Sequence, residues 1–97
     1  MPITNLTNIT IKKLTDKNSN TYYLILNNDN QDEAHFCFEW TLKSGWQDLV
    51  NNYENIKEVE IEFEEKKILV GDQKENKFKI YRIAVSLYFF LEGEIIV

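Results

Sequence analysis

The stretch AHFCFEWTLKSGWQDLVNNYENIKEVEIEFE, residues 34–64, changes its period twice, and those changes decide the fold. From Ala34 to Trp40 the chain alternates, with Phe36, Phe38 and Trp40 in one row and His35, Cys37 and Glu39 in the other. Alternation of this kind marks a half-buried strand, and the heavier aromatic row is expected inside. Ser44-Gly45-Trp46-Gln47 then reads as a capping box, with Ser44 accepting from the Gln47 amide. Trp46, Leu49, Val50 and Tyr53 follow at helical spacing and predict a helix over residues 44–53. Asn51, Asn52 and Asn55 weaken its intrinsic propensity, so packing of that face has to hold it. From Lys57 to Glu64 the period returns to two, with Val59, Ile61 and Phe63 facing in and Glu58, Glu60, Glu62 and Glu64 facing out. One helix therefore sits between strands.

Toward the N-terminus, Thr7 to Leu14 alternates with Ile9 and Ile11 on one face, and Asp16 to Asn20 is a cluster of turn formers. Thr21 to Leu26 is a second strand in which Tyr22, Leu24 and Leu26 form the expected inner row and Tyr23 and Ile25 the outer one. Residues 27–33, NNDNQDE, form a polar hairpin loop; a calcium loop is excluded because the turn glycine and the terminal bidentate Glu are missing. Toward the C-terminus, Glu65-Lys66-Lys67 is read as a turn into a short strand over Ile68 to Val70, followed by a loop over 71–76. Phe78 to Leu91 is a long last strand whose inner row runs Phe78, Ile80, then Ile83, Val85 and Leu87. That change of parity near Tyr81-Arg82 predicts a β-bulge. The expected core holds Leu24, Leu26, Phe36, Phe38, Leu49, Val59, Ile61, Phe63, Ile80 and Val85.

Composition bounds what such a chain can do. Ninety-seven residues suffice for one domain, residues 1–97, and 43% hydrophobic against 28% charged residues marks a folded chain. The net charge of −5 excludes a generic basic binder of nucleic acid or membrane surfaces. Cys37 is alone, so nothing asks for an oxidising compartment. The first residues carry no signal-peptide pattern, and the apolar run from Ile83 to Leu91 is far shorter than the roughly 20 residues of a spanning helix. A cytoplasmic protein without a membrane partner is expected.

Three strands, a helix and two or three more strands, written in TYYLIL, HFCFEW, SGWQDLVNNY, KEVEIEF and FKIYRIAV, resemble the oligonucleotide/oligosaccharide-binding (OB) fold. The resemblance lies in the order of elements over Ile9 to Leu87 and involves no diagnostic motif. It implies a mainly β chain with one helix, a five- to six-stranded, partly open antiparallel barrel with the helix after the third strand. The alternative is an α+β arrangement, a curved antiparallel sheet with one helix on its face.

The resemblance also implies single-stranded DNA or RNA binding on an outward face, where Lys12, Tyr23, His35, Lys79 and Tyr81 are the candidate platform: rings to stack bases, cations to meet phosphates. The competing reading is an acidic protein–protein module that presents Glu58, Glu60, Glu62 and Glu64 to a basic protein. Their spacing of about 7 Å is close to that of two phosphates along one strand of DNA. His35, Cys37 and Glu39 share a strand face, but alternate residues of one strand lie too far apart to converge on a metal unaided. With no phosphate loop, triad or paired acids, the chain is expected to be no enzyme and to need no metal or other cofactor. The apolar segment 88–97 is expected to mediate a homodimer.

Overall fold

The structure, a computed structural model, describes residues 1–70, 77–91 and 94–95, and the side chains of residues 1–67 and 78–89. Among the described residues seven strands and one helix follow in the order β1 (Ile3–Leu6), β2 (Ile9–Thr15), β3 (Thr21–Asn27), β4 (Ala34–Cys37), α1 (Trp46–Asn52), β5 (Ile56–Val70), β6 (Lys77–Leu91) and β7 (Glu94–Ile95). The protein is mostly β with one helix, as the order of periods predicts.

In the sheet the strands lie β1-β5-β6-β4-β3-β2, with the two-residue β7 on β6. Only Thr7 and Asn8 separate β1 from β2, so the two ends of the strand order are neighbours along the chain. The sheet curls to bring β2 against β5, and the result is a six-stranded, open half-barrel. This arrangement is compatible with an OB-like fold. One junction departs from the antiparallel expectation: β4 and β6 run parallel, through His35↔Arg82 and Phe36↔Ile83.

Local chemistry explains the connections. Between β2 and β3 the Asp16 carboxylate accepts from the backbone amides of Asn18 at 2.8 Å and Asn20 at 2.9 Å, while Ser19 takes a left-handed φ of 65°. The Asn20 amide bond, reinforced by Asn18 and opposed by desolvation, holds the Asp16 carboxyl below its ordinary pKa. The helix begins differently from the capping box. Its N-cap is Gly45, with φ 99° and no side-chain cap. The carbonyl of Ser44 instead accepts from the Leu87 amide at 3.2 Å, and the Lys43 amide donates to Val85 at 2.7 Å. Residues 43–45 thus run along β6, and a Cβ at position 45 would lie 2.8 Å from the Leu87 Cβ. Glycine is required there by both the backbone angle and the contact.

Other expectations need correction. β1 was not anticipated, and Glu65-Lys66-Lys67 is no turn, because β5 runs unbroken to Val70. β4 stops at Cys37, and the turn that follows leaves Trp40 65% exposed. The helix has seven residues, and Val50 stays largely outside while Leu49 is buried and Trp46 and Tyr53 pack on the core. The bulge lies later on β6 than Tyr81-Arg82: Glu62 pairs with Ser86 and Phe63 with Ala84, which leaves Val85 over. Residues 71–76 lie outside the described residues.

The largest correction is one of parity. The buried row of β3 is Tyr23 and Ile25, and that of β4 is His35 and Cys37; Leu24, Leu26, Phe36 and Phe38 are only half-buried on the other face. Phe78 and Ile80 are each 52% exposed, whereas Leu49, Val59, Ile61, Phe63 and Val85 are in the core as expected. Register couples the two strands, since Tyr23 pairs with Cys37 and Leu24 with Phe36, so both rows turn together. Both rows are apolar enough to be buried. Cys37, smaller than Phe36 or Phe38, suits the concave side of a tightly curled sheet, and Tyr23 packs there against Trp46 and Tyr53, whose rings stand 5.4 and 5.3 Å away.

Candidate ligand-binding face

With the inner rows assigned, an aromatic surface stands on the outer face of β3, β4 and β6. Tyr22 on β3 lies 5.4 Å from Phe38 and 6.4 Å from Phe36, between ring centroids. Phe36 and Phe38 are 6.1 Å apart and within 8° of parallel, Trp40 stacks on Phe38 at 4.8 Å, and Tyr81 lies 5.6 Å from Phe36. Alternation of β4 sends Phe36 and Phe38 to the same side, and the β3 and β6 neighbours deliver Tyr22 and Tyr81 beside them. Phe36, Phe38, Tyr81 and Ile83 enclose a shallow, wholly apolar depression of about 220 Å³.

Cations border this surface. The Lys79 ammonium lies 5.3 Å from the centre of the Tyr81 ring, whereas Lys67, 4.4 Å from the centre of the Phe78 ring, pairs with Ile80 and stands on the opposite face. Lys12 is exposed on β2 opposite Leu24, in the cross-strand row that continues to Phe36. Six of the eleven Lys and Arg residues fall between positions 66 and 82, against the two acids Asp72 and Glu75. Positive charge is therefore concentrated along the end of β5 and the start of β6, despite the net −5.

Of the five residues expected in the platform, Lys12, Lys79 and Tyr81 are on or beside this face, and Tyr23 and His35 are not. Tyr23 is 1% exposed and His35 is fully buried, so neither can meet a base, and Tyr22, Phe36, Phe38 and Trp40 stand where they were expected. The correction follows from parity alone. A sign in the sequence was the compact row His35, Cys37 following Glu33 at i−2: an acid at the strand start supplies the partner that a buried imidazole needs.

That partnership is observed. His35 Nε2 lies 3.3 Å from Glu33 Oε1, the ring stands edge-on to Phe63 at 4.8 Å, and Nδ1 has no hydrogen-bond partner among the described residues. Burial pushes the imidazole pKa below its ordinary value; Glu33 pulls it up and Arg82 adds to the depression. The Glu33 carboxyl is itself partly desolvated, yet hydrogen bonds from Asn27 and His35 hold its pKa below the usual range. Burial raises the Cys37 thiol strongly, and its Sγ lies 4.0 Å from the His35 carbonyl oxygen. His35 and Cys37 are thus interior groups while Glu39 is exposed on the following turn. Among the described residues no three His, Cys, Asp or Glu side chains group as metal ligands would.

The Glu row faces outward, with Glu58 exposed and Glu60, Glu62 and Glu64 half-buried. It occupies the same outer face as the rings, one strand further on: Glu64 pairs with Ile83, Glu62 with Ser86 and Ile3, Glu60 with Tyr88 and Asn5. Within segment 88–97, Tyr88 is 55% exposed and Phe89 7%; the side chains of residues 90–97 lie outside the described residues. No helix among the described residues is long and apolar enough to cross a membrane.

No family model matches the chain, and neither a curated protein nor a solved structure does.

Proposed function

We propose that the chain is a non-enzymatic module, OB-like in its strand order, that binds single-stranded DNA or RNA across the outer face of β3, β4 and β6. The observation that carries this reading is the open run of rings Tyr22, Phe38, Phe36 and Tyr81, each within 6.1 Å of the next. A purely structural Phe is expected in the core; a cluster of half-buried rings on a curved sheet suits flat ligands. Lys12 and Lys79 are the cations available to phosphates on this face. Their small number and the neighbouring Glu64 make stacking, and not charge, the main source of affinity. A cytoplasmic setting goes with this reading, because Cys37 is single and buried.

The test is a titration of Trp40 fluorescence with short oligothymidylate and oligouridylate. Each base stacked on an aromatic ring contributes about 1–3 kcal/mol, so Phe38→Ala and Tyr22→Ala should each weaken binding by about 5- to 150-fold. Unchanged affinity in both variants removes the reading.

The Glu row supports a second reading, an acidic face for a basic protein. It is favoured by the exposed apolar residues that flank the row, Ile3 at 61% and Tyr88 at 55%, since mixed charged and apolar surface is what a protein partner uses. Here Glu60→Gln with Glu62→Gln abolishes capture of the basic partner and leaves oligonucleotide binding intact or improved. A homodimer through residues 88–97 belongs with this reading, and light scattering at high micromolar concentration tests it.

A further inference from the structure

A second depression, about 330 Å³, adjoins the apolar one and shares Phe36 and Tyr81 with it. It lies in the notch between the β3–β4 loop and the first residues of β6. Phe36 and Tyr81 are its aromatic walls, Gln31 and Asp32 line it from the loop, and Lys79 and Arg82 line it from β6. No ion pair joins Asp32 to Lys79 among the described residues, so a carboxylate and an ammonium border one space without neutralising each other, while Arg82, the register partner of buried His35, turns its side chain to the inner face. The loop is held in place: the Asp32 amide donates to Asn30 Oδ1 at 3.2 Å, and Asn28 and Asp29 are bonded to Asn8 at the β1–β2 junction. From Lys77 to Tyr81, β6 pairs with β5 alone, which leaves the backbone edge beside the notch unpaired.

We infer that this notch takes one guanine base of a bound single strand. The inference rests on the single-strand reading above and deepens it. A carboxylate accepts two hydrogen bonds side by side, and guanine is the common base whose Watson–Crick edge offers two neighbouring donors, N1–H and the 2-amino group. Adenine and cytosine place a single donor beside an acceptor, and thymine or uracil places one donor between two acceptors. The opposite edge of guanine carries O6 and N7, which suit a guanidinium or ammonium. Asp32 thus takes the donor edge, Lys79 the acceptor edge, and Tyr81 with Phe36 the ring faces. A neutral apolar notch would select no base; one bordered by both signs does.

The experiment compares a short oligothymidylate with the same oligomer carrying one central guanine, adenine, inosine or 7-deazaguanine, by fluorescence anisotropy. A single guanine is expected to tighten binding about tenfold, the size of one good bidentate contact. Inosine, which lacks the 2-amino donor, and 7-deazaguanine, which lacks N7, each lose most of that gain. Asp32→Asn, a change on an exposed loop, removes the guanine preference and leaves oligothymidylate affinity unchanged. Lys79→Gln removes the difference between guanine and 7-deazaguanine and, by losing a phosphate contact, weakens every oligomer by a similar factor. Equal affinity for the thymine and guanine oligomers, or a preference that survives Asp32→Asn, overturns the guanine site while the stacking reading stands. Failure of every oligomer to bind overturns both.

Discussion

Phe36 on β4 and Tyr81 on β6 hold their rings 5.6 Å apart at an angle of 57°, and both depressions of the outer face lie against this pair. The two strands meet in a parallel ladder of only two partners, His35↔Arg82 and Phe36↔Ile83. The outer aromatic face therefore depends on a short junction whose inner side is the buried His35.

Stability should separate the two faces of the sheet. Ile61 is fully buried, and truncation to Ala should cost about 2–5 kcal/mol in urea denaturation. Phe38, half-buried on the outer face, should cost well under the roughly 3–5 kcal/mol of a core Phe. Equal losses at the two positions would return Phe38 to the core and remove the aromatic face.

Gly45→Ala tests the start of the helix. Position 45 has φ 99° and a would-be Cβ 2.8 Å from the Leu87 Cβ and 3.0 Å from the Leu87 carbonyl oxygen. A left-handed non-glycine residue costs about 1–2 kcal/mol before any clash, so the variant should lose at least that much in thermal or urea unfolding. A neutral substitution would show that residues 43–45 do not run against β6.

The pH dependence of stability should carry the mark of His35. Its native pKa is depressed below 6.5 by burial, so between pH 6.5 and the native value the unfolded chain binds the proton first. Stability is therefore full above pH 6.5 and falls as the pH drops below it, by at most about 1.4 kcal/mol per pH unit for one proton. The carboxyls Glu33 and Asp16 lose their contributions only below their ordinary values of 4.5 and 3.8, so the window down to about pH 5 belongs to His35. Urea midpoints at pH 7.5 and 5.5 should differ in the natural chain and much less in His35→Gln. Identical midpoints in the natural chain would contradict the buried, half-partnered imidazole.

Much of this architecture was legible in the residues and some was not, for definable reasons. KEVEIEFE allows one parity only, because a row of four glutamates cannot be the buried one, and β5 was read correctly through it. TYYLIL and HFCF allow two, because both rows are apolar; burial is then settled by the curl of the sheet and the helix beneath it, which no local pattern encodes. The same ambiguity sent the candidate platform to Tyr23 and His35 instead of Tyr22, Phe36 and Phe38. Lys12, Lys79 and Tyr81 were legible because the first two are charged and Tyr81 lies beside them. The parallel β4–β6 contact and the Gln31–Asp32 side of the notch arise from the path of the chain in space, beyond the reach of spacing along one strand.

The most direct measurement is the binding of an oligothymidylate of about 12 nucleotides, within the length an OB fold accommodates, at about 150 mM salt. There the Debye length is about 8 Å, and the repulsion from a net charge of −5 is largely screened while stacking persists. Saturable binding with a shallow salt dependence is expected, with a slope of about −0.7 for each phosphate met by Lys12 or Lys79. Absence of binding at that salt, or binding that Phe36→Ala and Phe38→Ala together leave unchanged, would contradict the single-strand reading.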